Sequence, residues 1–109
     1  MPTEKINLNK FCIAGTQFRK VPQEKLLTLE KGSIVLFERE PENKFDKNAV
    51  ACYAYLDMDG PTHIGYVPKE LARHFSPMLA NGLKLHAEVN TVTSTKPIVW
   101  VTLVWERED

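Results

Sequence analysis

Apolar and polar residues alternate strictly between Leu83 and Asn90, where every second side chain is leucine, alanine or valine. This period of two predicts a strand with one buried face. Residues 98–105 follow as a run that is apolar on both faces, so we expect a largely covered last strand with Trp100 or Trp105 against a helix. The end of the chain is therefore predicted to be two strands.

Further runs rich in β-branched and aromatic residues predict four earlier strands. Residues 57–61 hold Asp, Gly and Pro and predict a tight turn, so the strands on either side of it should pair as a hairpin. Residues 1–9 are expected to be a loosely held arm. The four strands are predicted over residues 10–18, 34–37, 49–56 and 62–67.

One principal helix is predicted to begin at Pro68, because proline is favoured in the first turn of a helix and Glu70 suits the positive end of the helix dipole. Leu71, Phe75 and Leu79 then share one face. Residues 21–27 predict either a short helix or irregular chain. Six short strands with so few helices favour a mainly β fold, a small closed or nearly closed antiparallel barrel.

The loop of residues 39–49 is the most informative segment. Pro41, Asn43 and Asp46 are typical of turns, but Phe45 is a large apolar ring that a turn does not need. Two interpretations follow: either Phe45 contacts a ligand, or it folds back over the core.

Three blocks resemble the HIRAN domain: residues 11–19 (FCIAGTQFR), the loop with its REPENKFDKNA sequence, and residues 63–72 (HIGYVPKELA). Their order and spacing match that family. The resemblance implies one HIRAN-like domain over residues 1–109, with a core of about residues 10–106. It also implies an OB-like barrel that binds 3′ ends of single-stranded DNA, in DNA repair or replication-fork processing.

The resemblance implies that Phe18 and Phe45 stack on the terminal bases, although core burial remains an alternative for either ring. It implies that Asn43 and Asp46 recognise the terminus. A free 3′-hydroxyl can donate to a carboxylate and an esterified oxygen cannot, which suits Asp46 to that role. The alternative for Asp46 is a turn cap that holds the loop.

Lys69 matches a phosphate-binding lysine of the family, and its place in the first helical turn suits that role. Tyr66 has two interpretations: its hydroxyl and ring contact the DNA, or the residue is part of the barrel wall. Well-known members carry arginine where Gln17 stands, tyrosine for Phe45 and histidine for Tyr66. Arg19 is the substitute that we expect for the missing arginine. The family's late aromatic contact has no counterpart in residues 93–97.

Fourteen basic and fourteen acidic residues balance, which argues for a local DNA contact involving few phosphates.

Cys12 and Cys52 are predicted to be buried free thiols of a reducing cytosol. No short paired Cys or His spacing predicts a metal. No catalytic motif is present, so we expect no enzyme and no cofactor.

We expect a cytoplasmic protein, because residues 1–10 do not resemble a signal peptide and no apolar run is long enough for a membrane span. A helicase, ATPase or nuclease partner would supply any activity in trans. The alternative function is a protein-interaction adaptor that uses an exposed strand edge and no DNA.

Overall fold

The computed structural model describes the backbone of residues 3–16, 23–93 and 97–106, and the side chains of residues 10–16, 23–93 and 97–105. This part of the chain has a mainly β fold with six antiparallel strands and two helices. The strands are β1 Thr3–Cys12, β2 Ile34–Arg39, β3 Val50–Tyr55, β4 Pro61–Tyr66, β5 Lys84–Val92 and β6 Val99–Glu106, and the helices are α1 Gln23–Leu26 and α2 Lys69–Ala80.

The strands pair in the order β1-β6-β5-β2-β3-β4. The segment after β1 then joins the opposite edge of this sheet. Ile13 donates its N–H to the Val99 carbonyl at 2.9 Å, and Ala14 and Tyr66 exchange two backbone hydrogen bonds of 2.7 and 2.9 Å. Because both edges meet at Ala14, the sheet curves round into a small barrel of the OB-like kind, which confirms the predicted fold class.

Three rings from different elements meet in the core. Phe75 of α2 lies 5.9 Å from both Phe11 of β1 and Phe37 of β2, between ring centroids. Leu71 and Leu79 pack against the same cluster, so the predicted apolar face of α2 is confirmed. The helix continues through Pro77 to Ala80.

The first strand differs from the prediction. Residues 3–9 are not a loose arm: they belong to β1, which begins at Thr3 and pairs with β6 over Thr3–Lys5 and again over Lys10–Cys12, with a register shift between the two stretches. The strand also ends at Cys12 and does not reach residue 18. A polar segment at a sheet edge is held by its backbone hydrogen bonds, so it needs little apolar surface. The alternation of Ile6 and Leu8 with polar neighbours was the available signal.

The remaining assignments are close to the prediction. The β3–β4 hairpin, the short α1 and the alternating β5 are all present.

Both cysteines are free, but only Cys52 is buried; Cys12 is half-buried. Burial raises the pKa of the Cys52 thiol far above its ordinary value. Among the described residues, no helix has the length and apolar character needed to cross a membrane.

Candidate nucleic-acid interface

The loop between β2 and β3 is held by its own short polar side chains. Asn43 Oδ1 accepts hydrogen bonds from the N–H groups of Phe45 at 2.9 Å and Asp46 at 3.0 Å. Asp46 Oδ1 accepts from the Asn48 N–H at 2.9 Å. The base of the loop closes where Glu40 donates its N–H to the Ala49 carbonyl at 2.9 Å. The loop therefore has a defined shape before anything binds to it.

Phe45 stands at the tip of this loop with 94% of its surface exposed. The interpretation that it folds back over the core is therefore wrong. The two hydrogen bonds to Asn43 hold the backbone at Phe45 away from the barrel. The core is also already filled by other rings, with Phe11 and Phe75 each only 5% exposed.

An open groove of about 420 Å³ lies beside the loop. Five of the seven residues that the sequence predicts to bind DNA line this groove. Phe18 and Arg19 lie outside the described residues, as does Gln17. The groove is lined by Ala14, Asn43, Phe45, Asp46, Ala49, Tyr66, Val67 and Lys69.

Glu40 connects the loop to the groove wall, and sequence reasoning missed it. Its Oε1 accepts a 2.9 Å hydrogen bond from the Tyr66 hydroxyl and another of 2.9 Å from Asn43 Nδ2. Tyr66 is thus both part of a barrel strand and part of the groove. The signal was the place of Glu40 inside the loop motif, but its partner Tyr66 is 26 residues further along the chain.

The groove floor depends on a close approach of two backbones at Gly65. A methyl group at Gly65 would lie 2.5 Å from the Ala14 carbonyl oxygen and 2.6 Å from Ile13 Cγ2. No side chain fits there, because only glycine lets the two backbones approach so closely. Beside it, the His63 ring meets Tyr66 edge to face, with 4.9 Å between ring centroids.

Charged groups of both signs line the groove. Asp46 uses one oxygen in the turn to Asn48, and no second hydrogen bond to its carboxylate occurs in the described part of the chain. The turn-cap interpretation is therefore correct for one oxygen only. Lys69 is exposed in the first turn of α2, and no ion pair to it occurs among the described residues. One groove thus offers a ring, a carboxylate and an ammonium group.

Each of these three groups can make a different kind of contact with a ligand. An exposed ring offers a stacking face for a base, a carboxylate accepts from a hydroxyl, and an ammonium group attracts phosphate. Within the described residues, no three or more His, Cys, Asp and Glu side chains are grouped so that they could hold a metal ion.

The HIRAN domain model matches residues 7–103. A solved protein from Lactobacillus plantarum superimposes with a TM-score of 0.80 and 20% identity over 95% of this chain and 97% of that one. The HIRAN domain of human HLTF superimposes with a TM-score of 0.68 and 16% identity, over 88% of this chain and 72% of that one. No curated protein sequence gives a significant match.

Proposed function

Since this chain belongs to the HIRAN domain family, whose members are known in general as DNA-binding modules, we propose that it binds the 3′ end of single-stranded DNA in the groove below Phe45. HIRAN domains bind rather than catalyse, so the chain would deliver a partner to the DNA end. That partner would be a helicase, ATPase or nuclease acting in repair or at replication forks.

The exposure of Phe45 is the observation that carries this proposal. A ring that is 94% exposed at the tip of a hydrogen-bonded loop contributes almost nothing to the core. Stacking of a base on such a ring is worth about 1–3 kcal/mol and tolerates any base. The ring is therefore best explained by a ligand with a flat face.

Asp46 supports recognition of an end rather than of internal strand. A carboxylate in a DNA-binding groove repels phosphate unless a donor faces it, and the free 3′-hydroxyl is that donor. Asn43 fixes the position of Asp46 by accepting its N–H at 3.0 Å. The terminal hydroxyl would then bind the Asp46 oxygen that the turn leaves free.

Lys69 supports a single phosphate contact. It borders the same groove as Asp46, and it lies in the first turn of α2, where the helix dipole also favours an anion. The whole chain has no excess of positive charge, so few counterions should be released on binding. Affinity should therefore fall only gently as salt is raised.

The first test compares a short labelled strand that ends in a free 3′-hydroxyl with the same strand ending in a 3′-phosphate, by fluorescence anisotropy. We expect the hydroxyl strand to bind much more tightly. Asp46→Asn keeps an oxygen for the Asn48 N–H but replaces the second oxygen by an NH₂ donor. This variant should lose most of the preference, by about the 1.5–3 kcal/mol of a hydrogen bond to a charged group.

Asp57→Asn is the matched control. Asp57 caps the β3–β4 turn in the same way, accepting the Asp59 N–H at 2.9 Å, but it does not line the groove. The Asp57→Asn variant should bind both labelled strands as the wild type does. Equal binding of both strand ends would contradict end recognition, and no binding of either strand would favour the protein-interaction function.

A further inference from the structure

A second depression lies on the outer face of the barrel, away from α2. It has a volume of about 290 Å³ and is bordered by β1, β5, β6 and the turn before β2. Polar and charged side chains form most of its wall, namely Lys10, Lys31, Glu88, Asn90 and Thr102.

Strand register connects this depression to the groove. Side chains alternate along a strand, and Phe11 and Ile13 are buried, so Lys10, Cys12 and Ala14 face outward. Ala14 lines the groove and Lys10 lines the second depression. Ala14 comes four positions after Lys10, a distance of about 13 Å along extended chain. The two sites therefore lie at the ends of one outward-facing row.

Trp100 occupies the middle of this path. It lies opposite Cys12 on β1 and opposite Thr91 on β5. Its neighbours in β6, Val99 and Val101, are fully buried, whereas Trp100 is 41% exposed. Ile98, the residue next to the start of β6 on the groove side, is 43% exposed. Barrel packing does not account for a tryptophan that faces outward here.

The second depression suits a phosphate and the polar edge of a base. Lys10 and Lys31 are both exposed, and no ion pair to either occurs in the described part of the chain. Thr102 is only 8% exposed, and its hydroxyl accepts from Asn90 Nδ2 at 3.1 Å. No acceptor for the hydroxyl proton is found among the described residues, so that proton is available to a ligand oxygen.

Glu88 adds a negative charge to the same wall. Two ammonium groups outnumber it, so the depression keeps a net positive charge. The combination of basic side chains with an exposed aromatic ring is the chemistry that proteins use along single strands.

We propose that a single DNA strand, held by its 3′ end in the groove, continues in the 5′ direction over Trp100 and places a phosphate between Lys10 and Lys31. This inference rests on the proposed function. Trp100 provides a second stacking face, on the opposite side of Ala14 from Phe45. The site therefore covers several nucleotides and not the terminal ones alone.

The test compares binding of a dinucleotide, which only fills the groove, with binding of a strand of about eight nucleotides, within the usual OB-fold range. We expect the longer strand to bind more tightly to the wild type. Trp100→Ala should weaken binding of the longer strand roughly 5- to 160-fold, the range for one stacked base, and leave binding of the dinucleotide unchanged. The Lys10→Ala/Lys31→Ala pair should also reduce the advantage of length.

Lys25→Ala is the matched charge control, because Lys25 is a surface lysine beside Asp57 and borders neither depression. Tryptophan fluorescence gives an independent test, because the Trp105→Phe variant retains Trp100 as its sole tryptophan. The fluorescence of Trp100 in this variant should be quenched by the longer strand and not by the dinucleotide. If the advantage of length persists in the Trp100 and lysine variants, or if no quenching occurs, the path is wrong while end binding stands. Failure of both strands to bind would overturn both proposals.

Discussion

Phe45 and Phe75 are the same residue in opposite surroundings. Phe75 is 5% exposed and stacks on Phe37 with 26° between the rings. Phe45 is 94% exposed. Burial of a phenylalanine side chain is worth about 1.5–3 kcal/mol, and Phe45 forgoes nearly all of it. The comparison separates the residues that hold the barrel together from those that are free to bind a partner.

The largest effect should come from the buried ring. Phe75→Ala should lower the free energy of unfolding by about 3–5 kcal/mol, because it removes apolar contacts and leaves a cavity between Phe11 and Phe37. Urea denaturation followed by circular dichroism measures this. A loss of less than about 1 kcal/mol would show that the three-ring cluster is not central to stability.

Phe45→Ala should give the opposite result. Its free energy of unfolding should stay within about 0.5 kcal/mol of the wild type, as for other surface substitutions. Single-strand affinity should fall by about 1–3 kcal/mol, because a stacking face is lost. Anisotropy titration and urea denaturation on the same preparation give both numbers. A drop in stability similar to that of Phe75→Ala would remove the distinction between the two rings.

Asn43→Ala should weaken binding of the single strand by about 1–2 kcal/mol. The substitution removes the acceptor for two backbone N–H groups of the loop and the donor to Glu40, so the loop loses the hydrogen bonds that fix its shape. The ring of Phe45 remains but is no longer held in place. Asn48→Ala is the matched control in the same loop, because only the backbone of Asn48 is hydrogen-bonded to Asp46. Equal binding by the two variants would mean that the shape of the loop does not matter.

The smallest effect concerns the turn between β3 and β4, which Asp57 caps. The Asp59 N–H, followed by Lys25, holds the pKa of Asp57 below its usual range. A carboxylate with a lowered folded pKa stabilises the protein above its unfolded pKa, and that contribution is lost as the pH falls through the folded value. The wild type should therefore be slightly more stable than Asp57→Asn at neutral pH. Urea denaturation should show the difference shrinking as the pH is lowered past the ordinary aspartate pKa of about 3.9, and an unchanged difference there would contradict the prediction.

Much of the fold and most of the candidate site followed from local patterns. The alternation in β5, the turn before β4 and the proline at the start of α2 each act within a few residues, so they could be read directly. The motif also pointed to Asn43, Phe45, Asp46, Tyr66 and Lys69, which line one groove. The errors were at β1, whose first residues Thr3–Lys5 pair with β6 far along the chain, and at Glu40, whose partner Tyr66 is set by a tertiary contact.

The sequence by itself determined the class of fold, the family and the chemistry of the loop, because turns, strand periods and Asn or Asp capping depend on neighbouring residues. Only the tertiary structure decided that Phe45 faces outward and that Ala14 meets Tyr66 to close the barrel. It also placed Trp100 between two depressions. These features depend on the register of strands far apart in the chain, which a local pattern does not specify.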